Sequence, residues 1–183
     1  MAELDAAERR ALLALARRAL EAAVRGERDA GALPESAALR RPGGAFVTLR
    51  CHGELRGCIG QVAADRPLAE VVARMAACAA TQDPRFPPLP PDELAALEVE
   101  ISVLSEAVPL ASRDPAEICS GRDGVIVRRG WHQGVLLPQV AADYGWAGED
   151  FLRAACRKAG LSPDAWRAPD CQLLVFQTDV FAE

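Results

Sequence analysis

The sequence predicts an α+β fold, a mostly antiparallel sheet flanked by helices. Two observations carry this. Strand patterns come in adjacent pairs, 45–50 with 55–60 and 124–129 with 133–137, without the regular strand–helix alternation of a parallel sheet. Helical periodicity fills separate stretches between them. The chain of 183 residues, half of them apolar, supplies a core for one domain over 1–183, with room for a smaller second subdomain.

The elements follow in order. Leu12, Leu15, Ala19 and Ala23 recur at helical spacing within 4–25, and Gly26 is a stop. Residues 31–42 read as loop, punctuated by Pro34 and Pro42-Gly43-Gly44. Residues 45–50 form a strand, Gly53 centres a turn, and 55–60 return as a second strand. Pro67 opens a helix whose apolar face is Leu68, Val71, Val72, Met75 and Ala79. That helix stops before Asp83-Pro84-Arg85-Phe86-Pro87-Pro88. Leu97, Val99, Ile101 and Val103 alternate with Glu98, Glu100 and Ser102, the pattern of a half-buried strand. A hairpin around Gly130, short helices over 138–144 and 149–159 stopped by Gly145 and Gly160, and a strand over 173–180 complete the chain.

Composition narrows the function classes. A net charge of −5 disfavours nucleic acid as the main partner, because phosphate binding needs a basic face. The arginine clusters Arg40, Arg41, Arg50, Arg56 and Arg128, Arg129 are the sequence's only counter-argument. No apolar run reaches membrane-span length, and the acidic, alanine-rich start does not resemble a signal peptide, so a cytoplasmic location is expected. The six cysteines have irregular spacing and no C-x-x-C, which predicts reduced thiols and no metal site. Walker A, G-x-G-x-x-G and G-x-S-x-G patterns are absent, which disfavours nucleotide cofactors and leaves the cofactor unknown.

Four stretches carry candidate chemistry. In Leu55-Arg56-Gly57-Cys58-Ile59-Gly60, strand alternation turns Leu55 and Ile59 to the core and Arg56 and Cys58 together to the other face. A cation beside a thiol favours thiolate, making Cys58 a candidate nucleophile. Gly57 and Gly60 permit close approach of a ligand or another backbone. The alternative is that Arg56 anchors a salt bridge and Cys58 packs as a small residue. Asp83 and Arg85 flank Pro84 in a stiff loop, either lining a cleft or serving as a connector. Glu100, a carboxylate within a strand, is a candidate general base or a partner of Arg56 or Arg85. Gln139 opens a short helix after Pro138, where free N–H groups suit an anion. A pairing of a cysteine with His52 or His132 also stays open.

These residues resemble a known family. Leu55-Arg56-Gly57-Cys58-Ile59-Gly60 matches the signature of the AMMECR1 domain. The stretches 83–89, 99–105, 136–141 and 158–161, with Trp166, resemble its further motifs in order. The resemblance implies an α+β fold of two subdomains, a cytosolic setting, and company with Memo-like and radical SAM proteins. It implies no settled activity. It directs attention to Arg56, Gly57, Cys58, Gly60, Asp83, Arg85, Glu100 and Gln139. Two readings follow: a small enzyme or modification-system component with a cleft around Arg56 and Cys58, or a non-catalytic partner-binding scaffold.

Overall fold

The computed structural model describes residues 4–27 and 31–183, and the α+β class holds. The chain divides into two compact units. The first contains the residues up to Leu104 together with Asp179–Glu183, and the second runs from Ser105 to Thr178.

In the first unit, helix α1 (Ala6–Val24) starts at a reciprocal cap. The Asp5 carboxylate accepts from Ala7 N at 2.7 Å and Glu8 N at 2.8 Å, and Glu8 accepts from Asp5 N at 3.0 Å. A four-residue helix, α2 (Ala37–Arg40), lies where the sequence predicts only loop. The Ser36 hydroxyl accepts from Ala38 N at 3.2 Å and starts it, a cap signal too brief to produce helical periodicity. Strands β1 (Ala45–Cys51) and β2 (Glu54–Gln61) form an antiparallel hairpin. Helix α3 (Leu68–Thr81) follows, and a 3-10 turn over Pro91–Ala96 leads into β3 (Leu97–Leu104). The strand order is β2-β1-β3, so β2 is an edge.

One face of this sheet meets α1 and α3. Val47, Leu49, Val99 and Ile101 join Leu12, Leu15, Leu20, Val71 and Val72 in a single fully buried cluster. Burial of each such side chain stabilises the unit by about 1.5–3 kcal/mol. The opposite face carries Phe46, Thr48, Cys58, Gly60 and Glu100.

The hairpin register shifts by one residue beside Leu49 and Arg50: Leu49 faces Gly57, but Arg50 faces Leu55. The extra residue is Arg56. This bulge corrects the expectation for Leu55, since paired residues share a face and Leu55 now lies with Arg50. Leu55 is exposed rather than in the core.

The second unit has its own core of Val125, Val127, Phe151, Trp166 and Leu173. Its strands are β4 (Val108–Pro109), β5 (Asp123–Arg129), β6 (His132–Leu136) and the first part of β7 (Gln172–Ala182). β4 and β5 pair with β7, and β6 pairs with β5, all antiparallel. Helices α4 (Pro138–Tyr144) and α5 (Gly148–Lys158) complete it. Gly145, in the left-handed region at φ 64°, ends α4 as the sequence predicts.

Candidate functional site

The hexapeptide occupies most of β2. Its two glycines are required by what lies against them. A Cβ at Gly57 would stand 2.3 Å from the backbone oxygen of Ala79 in α3. A Cβ at Gly60 would stand 2.1 Å from the Phe46 ring. The first glycine lets α3 seat closely behind the sheet. The second lets an aromatic ring lie flat on the other face, two residues from Cys58.

Cys58 is half-buried and free of any disulfide. Its register partner on β1 is Thr48, whose own partner on β3 is Glu100. The Thr48 hydroxyl donates to Cys58 Sγ at 3.4 Å. Thiol, hydroxyl and carboxylate therefore form one row across three strands.

The Asp83–Arg85 loop closes on the free edge of β2 at the same residue. Cys58 N donates to Asp83 Oδ2 at 2.8 Å, and Arg85 Nη2 donates to Cys58 O at 3.2 Å. Asp83 and Arg85 are locked to each other. Arg85 Nε donates to Oδ1 at 3.0 Å and Nη2 to Oδ2 at 2.7 Å. The Asp83 side chain is only 2% exposed, whereas that of Arg85 is 53% exposed. Hydrogen bonds from Arg85 hold the Asp83 carboxyl well below the usual carboxylate range; burial opposes them and the Cys58 N–H assists. Hydrogen bonding and charge from Asp83 raise Arg85 above its ordinary range, and the Cys58 side chain adds to the shift. The guanidinium lies 5.4 Å from the centre of the Phe86 ring.

Arg56 is engaged elsewhere. Its Nε donates to Glu93 Oε2 at 2.7 Å and its Nη1 to Pro87 O at 2.9 Å, with 14% of the side chain exposed. The bulge aims it at the loop that follows α3. Among the described residues, then, the salt bridge of Arg56 is with Glu93 and that of Arg85 is with Asp83; Glu100 takes part in neither. The cation that bonds Cys58 is Arg85. Sequence reasoning missed Glu93 and Thr48. Thr48 carried a signal, being the one hydroxyl in the apolar run Ala45-Phe46-Val47-Thr48-Leu49.

Gln139 belongs to the second unit, in α4. His132 is there too, its Nδ1 3.0 Å from Ala159 O, and His52 is exposed in the β1–β2 turn. The hydrogen-bonding group at the Cys58 thiol is Thr48 rather than a histidine. Among the described residues no group of three or more His, Cys, Asp or Glu is placed to hold a metal ion.

The second unit repeats part of the arrangement. Cys119 N donates to the buried Asp123 at 2.9 Å, and Arg122 grips both oxygens of that carboxylate at 2.8 and 2.9 Å. A Cys–Asp–Arg clip is thus a structural device of this chain. What distinguishes Cys58 is the hydroxyl on its sulfur.

The AMMECR1 family model matches residues 13–181. A protein of Methanothermobacter thermautotrophicus is 44% identical over 188 residues, covering 100% of this chain and 97% of its own. One of Methanopyrus kandleri is 42% identical over 179 residues, covering 94% and 86%. The crystal structure of an uncharacterised protein from Pyrococcus horikoshii superposes with a TM-score of 0.88 at 39% identity, covering 94% of this chain and 89% of that one.

Proposed function

This chain belongs to the AMMECR1 family, and from that premise we propose that it is a thiol-dependent enzyme, or the thiol-bearing component of a modification system, with Cys58 as nucleophile. The observation that carries this reading is the Thr48 hydroxyl 3.4 Å from Cys58 Sγ, beside a half-exposed guanidinium on the same residue. A cysteine that only fills space needs no hydroxyl on its sulfur.

In this reading Cys58 sulfur attacks an electrophilic carbon of the substrate, and an S–C bond forms as the bond to the leaving group breaks. The Thr48 hydroxyl, donating to Sγ, stabilises the thiolate; the thiol proton is lost to water and the leaving group takes a proton from water, with Glu100, in the same row, as the candidate proton carrier. Arg85 uses Nε and Nη2 to hold Asp83 and Cys58, and its outer edge receives an anionic group of the substrate. Arg56, Gly57, Gly60 and Asp83 build the site. Gln139 is given no step. The setting is cytoplasmic.

The test is site-resolved alkylation of the native protein at pH 8 with iodoacetate and iodoacetamide. Cys58 reacts with both, and iodoacetate is favoured by Arg85. Arg85→Gln lowers the iodoacetate-to-iodoacetamide rate ratio several-fold, and Thr48→Val slows both reagents. A Cys58 inert in the folded protein sinks the proposal. Binding to Memo-like or radical SAM proteins that survives Cys58→Ala would then favour the scaffold reading.

A further inference from the structure

The β5–β6 hairpin ends in Gly130-Trp131. Arg129 pairs with His132, so the turn has two residues. Gly130 has φ 57° and Trp131 is not in the positive region, the turn form that needs glycine first and leaves the second place open. The fold therefore does not require tryptophan here. Its side chain is fully exposed, at 103%. The other two tryptophans are a buried Trp166 and a half-buried Trp146 stacked on Tyr144 at 4.6 Å. Arg128 and Arg129 precede Trp131, Arg128 bonded to the Gln133 side chain and Arg129 ion-paired with Asp170, and His132 docks on the last turn of α5, where Arg157 and Lys158 lie.

The first unit carries a complementary surface. Between α1 and α3 is a recess of about 320 Å³ floored by alanines of both helices, Ala23 and Ala73 among them. The exposed Leu33 lines it, and Glu27 and Glu70 give it acidic groups; Arg74, also lining it, donates to the side chain of Gln61. The apolar floor suits an indole, and Glu27 and Glu70 are opposite in sign to Arg128 beside it.

We propose that this chain self-associates head to tail, the Trp131 tip of one copy entering the α1–α3 recess of another with Arg128 against Glu70. The contact is heterologous, so each copy presents one tip and one recess. The inference is independent of the chemistry assigned to Cys58.

Sedimentation velocity on the full chain tests it, in low salt and up to about 1 mM protein, the range in which a weak contact is populated. The weight-average sedimentation coefficient of the wild type rises with concentration, and salt diminishes the rise. Trp131→Ala stays monomeric. Arg128→Glu and Glu70→Arg each weaken association roughly tenfold, and the two together restore it. A mixture of Trp131→Ala, which keeps its recess, with Glu70→Arg, which keeps its tip, forms a heterodimer. The proposal is overturned if the wild type is monomeric throughout, or if Trp131→Ala associates like the wild type. A wild type that stays monomeric while Trp131 anchors it to phosphatidylglycerol vesicles also overturns it, and identifies a lipid surface as the occupant.

Discussion

Asp83 holds more of the site together than any other side chain. It is buried, takes the Cys58 N–H, and fixes Arg85 by three hydrogen bonds, two from its guanidinium and one from its backbone N–H. Asp83→Asn keeps the shape but loses the charge, and is expected to cost about 1–3 kcal/mol in urea unfolding. The pH dependence follows in sign. The folded carboxyl titrates below its unfolded value, so its stabilisation is complete above the unfolded value and is lost as pH falls toward the folded one. Acid titration from about pH 4 downward therefore destabilises the wild type more than Asp83→Asn. At this scale the sequence was legible in part. Cys58, Asp83 and Arg85 stand out by residue type and do come together. Thr48 and Glu93 did not, because their meaning depends on which residue lies across the strand or at the end of the bulge.

Strand β2 shows what an element adds. Both glycines of the hexapeptide look alike in sequence, yet they face opposite sides. Gly57→Ala drives a methyl into the Ala79 carbonyl, a backbone atom of a packed helix that cannot step aside. Gly60→Ala meets the ring of Phe46, a half-buried side chain rather than packed backbone. Thermal or urea unfolding should show Gly57→Ala the worse by about 1–3 kcal/mol, the range of overpacking in a core. Comparable losses would mean that the Phe46 ring is as fixed as the helix. Periodicity revealed β3 and the face of α3 because each repeats over several turns or pleats. The bulge at Arg56 repeats nothing, so strict alternation placed Leu55 on the wrong face. The four residues of α2 were too few to announce themselves.

For the whole molecule, the thiols give the most accessible test. All six cysteines are free. Cys119 is exposed, whereas Cys156 and Cys171 are buried, and burial pushes both of those thiols up. A disulfide-exchange reagent on the native protein should titrate Cys119 and Cys58 and reach Cys156 and Cys171 only on unfolding. Early loss of the buried pair would mean that the second unit opens readily. The division into two units was not legible from punctuation. Leu104 passes directly to Ser105 without glycine or proline, and residues 179–183 return to the first unit from the far end of the chain. That return is recorded in tertiary contacts such as Arg17 with Glu183, which no local pattern encodes.

The clip on β2 has a last consequence, for colloidal behaviour rather than chemistry. With Asp83 and Arg85 in place, the outer N–H and C=O of Cys58 are already occupied. Without them, β2 offers bare backbone at the rim of its sheet, the surface on which another molecule's strand can add. Acidified protein and Asp83→Ala should therefore scatter light before they lose helical ellipticity. Aspartate neutralisation would turn that rim into a template for the chain's own precipitation.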